Sequence, residues 1–586
     1  MVAALVALAW FLLRRPPKPS AELTQKRLTF NSSENAVRDN AISPDGKYLA
    51  YSDPAGIHVK LLSTGEERLI PRPAGVPASA WWGVDSWFPD GTQLLGDTYE
   101  PGGHISMWAV SVLGRSAHEL RENAGGFEVS PDGAHIAFCP EPGPSGYVRE
   151  IWVMDSQGDN PQKVLELGEN EWFGEAHWSP DGQRLAYLSM RRVSGGSGRA
   201  VIETCDLKGA NRTVIVSDMD VPIESLCWLP DRRMVYSRGE SPDSDDDNLW
   251  QIGIDSQSGT PAGKPKRVTQ WAGSYLRGLS ASADGKRLTL HKASYQMQVY
   301  VGELAAGGTR MSPPRRLTND EAFDEPTAWT PDSKAVLFTS NRNGTNGIFR
   351  QAIGQETAEP VVTGPEGYGN ARLSADGTWV LYQEIPKKPV PSAPVALLRI
   401  PLSGGVPQRV LETRNDSNYG CARAPVRVCV VSEVSQDERQ FTLTAFDPLK
   451  GRGNVLRSIQ KDPNASFAGT GLSPDGTVFA ISKSGEAEIH IRLLSLWGGS
   501  DREITVKGWP NLTGLDWSLD GKGLYVGSVS QQSHALLYVG LKGNTRVLGQ
   551  FKGRRGQIWG IPSPDGRYLA ILGSVYNSNV WMLEGF

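Results

Sequence analysis

Short apolar runs separated by turn-forming residues recur along almost the whole chain. Lys47-Tyr48-Leu49-Ala50-Tyr51, Arg184-Leu185-Ala186-Tyr187, Val336-Leu337-Phe338 and Tyr568-Leu569-Ala570-Ile571 read as strands. A turn precedes each: Ser-Pro-Asp-Gly at 43–46, 130–133, 179–182, 473–476 and 563–566, with drifted copies beginning at Phe88, Leu229, Ser282, Thr330, Ser374 and Ser518. Pro sets φ at the first central position, Asp bonds back to nearby amides, and Gly takes a positive φ that a Cβ forbids. A third apolar strand follows, as in Ile151-Trp152-Val153-Met154-Asp155, Leu249-Trp250-Gln251-Ile252 and Val299-Tyr300-Val301. A fourth ends in runs such as Arg27-Leu28-Thr29 and Arg316-Leu317-Thr318.

The turn aspartates lie at 45, 90, 132, 181, 231, 284, 332, 376, 475, 520 and 565, and neighbouring copies are 42 to 53 residues apart apart from one gap of 99 residues. That gap, from 376 to 475, holds two repeats with a hidden copy between them. Four antiparallel strands per repeat of this period predict propeller blades. Eleven visible turns and the hidden one give twelve blades, too many for a ring of the usual four to eight. The expected fold is all-β: two tandem six-bladed propellers, residues 25–308 and 309–586, with a short apolar helix at the N-terminus. Lys26–Phe30 and Arg315–Asn319 both read as strands that close a ring, Arg27–Phe30 beside 298–303 and Arg315–Asn319 beside 579–583. A division into seven and five blades is the alternative, and it leaves these matching ends unexplained.

The Ser-Pro-Asp-Gly turn, the Leu-Ala-Tyr strand after it, the Trp-Val-Met-Asp strand and the Arg-Leu-Thr strand resemble the PD40 (WD40-like, TolB-type) β-propeller repeat family, over nearly everything after residue 25. The Cys421–Cys429 element and the ending Asn579–Phe586 look like the tandem-propeller tails of bacterial membrane-anchored winged-helix regulators and serine/threonine kinases. This resemblance implies a non-enzymatic, extracytoplasmic protein- or ligand-binding or sensor module within a membrane signalling protein. Two other readings stay open: a TolB-like envelope scaffold, and a hydrolase or lyase with its site in a propeller channel. An enzyme should show converging acids or a His–acid pair at one channel mouth.

Met1–Leu13 is uninterrupted apolar sequence, followed by Arg14-Arg15-Pro16-Pro17-Lys18-Pro19. As a helix it spans about 20 Å, short of a ~30 Å hydrocarbon core, and no positive n-region marks a signal peptide. Residues 1–15 are therefore expected to be a membrane anchor, the end of a transmembrane helix that begins upstream, and 16–24 a stiff Pro-rich linker. Arg14 and Arg15 would put the following side in the cytoplasm; the cysteines favour the other side. Cys139, Cys205 and Cys227 lie in or beside strand patterns, as small core residues do. Cys421 and Cys429 frame the place where the hidden repeat should turn. A disulfide there would replace the missing turn and imply an oxidising compartment; two free thiols are the other reading.

Lys+Arg 60 against Asp+Glu 64, a net charge of −4, gives no basic field for nucleic acid. The chain has no Gly-x-Ser-x-Gly elbow, His-Glu-x-x-His helix or phosphate-cradling Gly-x-x-x-x-Gly-Lys, and no cofactor or metal is expected. Ser194–Gly198 reads as a loop, and His104, His135 and His177 as surface or strand-edge residues. What recurs is an aromatic eight or nine residues before the turn aspartate: Trp81 and Trp82, Trp172 and Phe173, Tyr275, Phe323, Tyr368 and Phe467, with Tyr419 near the same place in the hidden repeat. With Asp85, Glu171, Glu175 and Asn370 nearby, these rings would form a collar around one mouth of the channel. Such a collar suits a peptide or protein partner; a small-molecule ligand is also compatible. The competing reading is that the rings only pack between adjacent blades.

Overall fold

The computed structural model describes residues 23–586 except for short stretches at 101–102, 114–115, 142–146, 194–195, 219–220, 241–245, 256, 320–321, 386–393, 415–416, 462–466, 484–487, 531–532 and 553–556. The repeated turns fold as their chemistry dictates. Ser43 Oγ donates to Asp45 Oδ1 at 2.7 Å, the Lys47 amide donates to the same oxygen at 3.0 Å, and the Tyr48 amide donates to Ser43 Oγ at 2.9 Å. The Ser–Asp bond repeats at Ser130, Ser179, Ser282, Ser374, Ser473, Ser518 and Ser563. Gly46 sits at φ +69°, and where drift has removed the glycine Arg232 and Ser333 take φ 69° and 60°, a conformation that costs a Cβ-bearing residue more.

Each turn joins an inner strand to the second strand of an antiparallel sheet. Ten sheets are built from four consecutive strands each. The first runs Asp39–Ile42, Tyr48–Asp53, Gly56–Leu61, Glu67–Ile70. The hidden repeat is the sheet Asn418–Cys421, Cys429–Val434, Gln440–Asp447, Gly451–Gln460. Among the described residues the helical content is one short 3-10 turn, Ser33–Asn35. The architecture is all-β, of four-stranded sheets of the kind that form propeller blades. No helix among the described residues is long and apolar enough to cross a membrane; the anchor expected at 1–15, its helix and most of the linker lie outside the described residues.

The chain divides into two compact units. The first comprises the described residues up to Val193, Ser197–Ser294 and Asn577–Phe586; the second is Tyr295–Tyr576. The boundary expected at 308/309 thus lies inside the second unit. Two long strands, Arg287–Ala305 and Tyr568–Glu584, are each divided between the units. In the first unit, Tyr275–Ala281 pairs with the start of Arg287–Ala305, which neighbours Tyr568–Glu584, whose end pairs with Thr24–Arg27. In the second, Trp559–Pro562 pairs with the start of Tyr568–Glu584, and Arg315–Arg316 pairs with Tyr300–Val301. The closing pairs expected from sequence are therefore exchanged. Arg27 faces Trp581, not the 298–303 segment, and Arg315 faces Val301, not the 579–583 segment. The reason is that each long strand serves one unit with its first half and the other unit with its second.

Within each unit the last sheet meets the first. In the first unit Asn40 Nδ2 donates to Gly278 O at 2.7 Å and the Ile42 amide to Ser280 Oγ at 3.1 Å. In the second, Trp329 Nε1 donates to Ile561 O at 2.8 Å. The same indole bond ties neighbouring sheets elsewhere: Trp87 to Ala41 O, Trp178 to Glu128 O and Trp517 to Gly471 O. Apolar clusters fill the space between adjacent sheets, such as Ala41, Ile57, Trp82, Val84 and Leu94. Burying such side chains is worth about 1.5–3 kcal/mol each, so the core of each unit is the series of joints between sheets.

Candidate functional site

The densest group of buried acids lies on the inner and second strands of the first two sheets of the first unit. Asp39 is on the innermost strand of the first sheet, Trp81 and Asp85 on that of the second, and Asp97 and Tyr99 on the strand after it. Asp39 Oδ2 accepts from Ser52 Oγ at 2.7 Å and from Trp81 Nε1 at 3.2 Å. The Arg38 guanidinium lies 4.8 Å from the Trp81 ring and 5.9 Å from the Tyr99 ring, and its Nη1 is buried with no hydrogen-bond partner. Asp97 is 1% exposed. Its two oxygens accept from one donor, the Gly126 amide, at 3.1 and 2.9 Å, and Tyr99 Oη approaches at 3.5 Å.

Three glycines make room for the acids. A Cβ at Gly126 would lie 3.1 Å from Asp85 Oδ2 and 2.8 Å from Leu95 Cδ2. One at Gly125 would lie 3.1 Å from Asp97 Oδ2, and one at Gly83 would lie 2.9 Å from Asp39 Oδ2. Both Asp85 and Asp97 therefore converge on the Gly126 backbone, where one carboxyl, when protonated, hydrogen-bonds the other.

Burial pushes the Asp97 carboxyl up to about 8, against the lowering pull of the Gly126 amide. Burial also lifts Asp85 well above the usual carboxylate range, with the charges of Asp97 and Asp39 adding to it. Like charges this close cannot both ionise cheaply, so the pair holds a proton at neutral pH. A carboxyl that keeps its proton there can act as a general acid, and its ionised neighbour as a base. Tyr99 is driven up by burial and then by the same carboxylates.

A second acid network lies on the inner strands of the third to fifth sheets. His177 Nδ1 is 3.6 Å from Glu128 and its Nε2 3.4 Å from Glu175. Burial disfavours the imidazolium, yet the two flanking carboxylates outweigh it and hold the pKa at about 10. Glu175 Oε2 also accepts from Ser225 Oγ at 2.9 Å and the Leu226 amide at 3.1 Å, and Glu128 Oε2 from the Trp178 amide at 2.7 Å. These bonds run between neighbouring sheets, so this group ties sheets together. On the sixth sheet His291, 4% exposed, has Nε2 without a partner and is pushed by burial down to about 4.

The residues expected to form a collar divide. Trp82, Phe173 and Tyr419 are buried and pack between adjacent sheets. Tyr419 Oη bonds the carbonyl oxygens of Asn370 and Leu381. Trp81, Trp172, Tyr275, Phe323, Tyr368 and Phe467 are half-buried. Trp172 lies 4.6 Å from Tyr147, Phe323 6.1 Å from Tyr295, and Phe467 4.8 Å from Phe441. Glu171 is 3.8 Å from Arg191; Asn370 is exposed at φ 56° and donates to Gln383. Asp85 and Trp81, named from sequence, thus join Arg38, Asp39, Asp97 and Tyr99, which sequence reasoning missed. A signal was present: seven residues after the turn aspartate, other repeats carry Ser52, Cys139 and Leu188, whereas Asp97, Arg238 and His291 put charged or ionisable groups in the same register.

Cys421 and Cys429 form the expected disulfide on facing strands, and Cys139, Cys205 and Cys227 are free and buried. The bond is that of a protein matured in an oxidising, extracytoplasmic compartment. Among the described residues no cluster of His, Cys, Asp and Glu has the arrangement of a metal site.

No family model matches the chain. Among curated proteins it is 35% identical over 81 residues to the Tol-Pal system protein TolB of Anaeromyxobacter dehalogenans, 14% of this chain and 18% of that one. It is 20% identical over 219 residues to dipeptidyl-peptidase 5 of Porphyromonas gingivalis, 36% of this chain and 24% of the relative. It is 25% identical over 227 residues to the uncharacterized peptidase YuxL of Bacillus subtilis, 37% of this chain and 30% of the relative. The chain thus spans less than a third of the length of each of these relatives. Among solved structures, an oligogalacturonate lyase of Vibrio parahaemolyticus superposes at TM-score 0.32 with 17% identity, covering 56% of this chain and 79% of its own. The sequence match to TolB supports TolB-like propeller repeats. The matches leave the resemblance to membrane-anchored regulators and kinases without a counterpart. They also overturn the expectation of a non-enzymatic sensor, since two of the three relatives are peptidases, and they favour the alternative of a hydrolase or lyase over it.

Proposed function

We propose that each unit is a six-bladed propeller and that the chain acts as a hydrolase, with its reacting groups on the inner wall of the first unit. The observation that carries this reading is the Asp85–Asp97 pair converging on Gly126, half-open at Asp85 and closed at Asp97. One carboxyl gives its proton to the leaving amine as the peptide C–N bond breaks. The other takes a proton from the water whose oxygen bonds the carbonyl carbon. Arg38, with a nitrogen unpartnered beside the Trp81 and Tyr99 rings, is placed to steady the oxyanion. Peptides are the preferred substrate class because the matched stretches belong in part to peptidases. Trp81, Trp172 and Tyr275 are half-buried aromatics on the inner strands of this unit and offer faces to an extended chain.

The test is cleavage of a mixed peptide library by the full chain from pH 5 to 9, read as new termini by mass spectrometry. Cleavage that falls at least about 100-fold in Asp97→Asn supports the assignment. No cleavage anywhere in that range, or equal cleavage by the variant, refutes it.

A further inference from the structure

The joint that closes the first unit leaves three buried polar atoms without partners, and they stand together. His291 lies on the second strand of the sixth sheet, directly opposite Arg277 on the inner strand, so the two side chains leave the sheet on one face. Asn40, on the inner strand of the first sheet, reaches across the joint to the same place, where its Nδ2 donates to Gly278 O at 2.7 Å. A Cβ at Gly278 would lie 3.0 Å from Asn40 Nδ2 and 3.3 Å from His291 Cε1. Glycine, at φ +60°, thus keeps open the space between the amide and the ring. Asn40 Oδ1, His291 Nε2 and Arg277 Nε are all buried with no partner. Asn40 is 6% and His291 4% exposed, while Arg277 and Gly278 are half-buried and leave the joint open on their side.

The charges around these atoms are already matched. Arg277 Nη2 pairs with Glu224 at 2.7 Å. Asp39 accepts from Ser52 and Trp81. Glu175 accepts from Ser225 and the Leu226 amide and lies beside His177. Burial, which brings His291 down to about 4, keeps its imidazole neutral at pH 7. What remains is a donor on Arg277, an acceptor on Asn40 and a neutral ring nitrogen that can be either. A neutral group with one N–H and one C=O fits that set. An ion does not, because its charge would find no free countercharge there. Asn40 follows Asp39 in the chain, and Asp39 is bonded to Trp81 on the strand that carries Asp85. We propose that Asn40, Arg277 and His291 bind one peptide unit of the substrate, Arg277 Nε donating to its carbonyl oxygen and Asn40 Oδ1 accepting from its N–H. The proposal rests on the peptide reading of the first unit and assigns the residues that hold the chain there.

The experiment is calorimetric titration of the full chain carrying Asp97→Asn, so that peptide is bound and not consumed. The probes are acetyl-tetra-alanine amide and the oligolactate of the same length, in which an ester oxygen replaces each backbone N–H. The peptide is expected to bind at least roughly tenfold more tightly than the oligolactate. His291→Phe, which keeps a ring and removes the nitrogens, should bring the peptide down towards the oligolactate and leave the oligolactate's affinity unchanged. Arg277→Lys keeps the charge opposite Glu224, removes Nε, and serves as the second variant should the first fail to fold. Peptide binding by a chain whose wild type cleaves nothing would refute the cleavage and leave this site standing, so the two proposals fail separately. Equal affinity for the two probes, no binding of the peptide, or unchanged peptide affinity in the folded variant would overturn the inference.

Discussion

The inner strands of the two units follow one plan of turns and tryptophans but differ in how many acids they carry. In the first unit they hold Asp39, Asp85, Glu128, Glu171, Glu175 and Glu224, set against His177 and Arg277. In the second they hold Asp324, Glu325 and Asp516 with Arg372, and Arg423 in the adjoining loop. The register seven residues after the turn aspartate sharpens the contrast. It contains Asp97, Arg238 and His291 beside Ser52, Cys139 and Leu188 in the first unit, but Thr339, Gln383, Ser482, Gly527 and Leu572 in the second. Turn and joint residues are shared because they build the sheets; the charged positions of the inner strands differ from repeat to repeat. Burying like charges works against folding, and the Asp85–Asp97 pair is where the proposed reaction would draw on that cost.

The largest expected effect follows from that statement. Asp97→Asn should lower peptide cleavage by about 10²–10⁴-fold while leaving the first unit as stable as before, or more so, above neutral pH. Replacing Arg372 in the second unit should leave cleavage unchanged. Initial rates beside thermal unfolding of the same samples decide this, and a variant that loses rate only because it unfolds would break the comparison.

The pH dependence is next. The folded Asp97 carboxyl, at about 8, holds its proton more tightly than the unfolded one near 3.8. Its stabilising contribution is therefore complete below about pH 4 and is lost as pH rises through 8. His177, raised from 6.5 to about 10, behaves alike over a higher window, complete below 6.5 and lost through 10. The first unit should thus weaken from pH 5 to pH 9, and Asp97→Asn should remove the lower part of that slope. Amide hydrogen exchange followed separately in each unit measures it. An identical slope in wild type and variant would place the titration elsewhere.

The disulfide tests the second unit in the same way. Replacing Cys421 and Cys429 together by Ser opens a loop with a sequence separation of 8 and should cost about 2.5 kcal/mol. Exchange protection should fall in the second unit and stay unchanged in the first. A loss spread over both units would mean that they do not respond independently.

Much of the fold was legible because the turn chemistry is local. Ser43, Asp45 and Gly46 need only one another, so the tetrapeptide predicts the hairpin and its period predicts the sheet. Cys421 and Cys429 were legible for the same reason, replacing a turn at a known phase. The strand exchange was not. Thr24–Arg27 and Arg315–Arg316 carry the same Arg-Arg-Leu-Thr-like edge chemistry, and an edge strand's backbone bonds do not encode which neighbour it meets. The candidate site was half legible. Asp85 and Trp81 stand beside a recurring aromatic, whereas Asp97 is one acid in an apolar strand, and its meaning depends on Asp39 from the preceding repeat and on the space left by Gly125 and Gly126. Eight-residue spacing found the aromatics but could not separate Trp82, which packs into a joint, from Trp81, which does not.

The smallest effect concerns the joints. Trp329 in the second unit and Trp228 in the first occupy the same position, three residues before their turn aspartates, and both are buried. Trp329 Nε1 donates to Ile561 O at 2.8 Å, whereas Trp228 Nε1 is buried with no partner. Replacement by Phe removes a similar volume at both sites. At Trp329 it also strands the Ile561 carbonyl oxygen, while at Trp228 it relieves an N–H that had none. Trp329→Phe should therefore be the more destabilising of the two by about 1–2 kcal/mol. Denaturant unfolding of the two variants, read through probes in each unit, measures the difference. Equal losses would mean that volume alone sets the strength of these joints and that the indole bond contributes nothing beyond it.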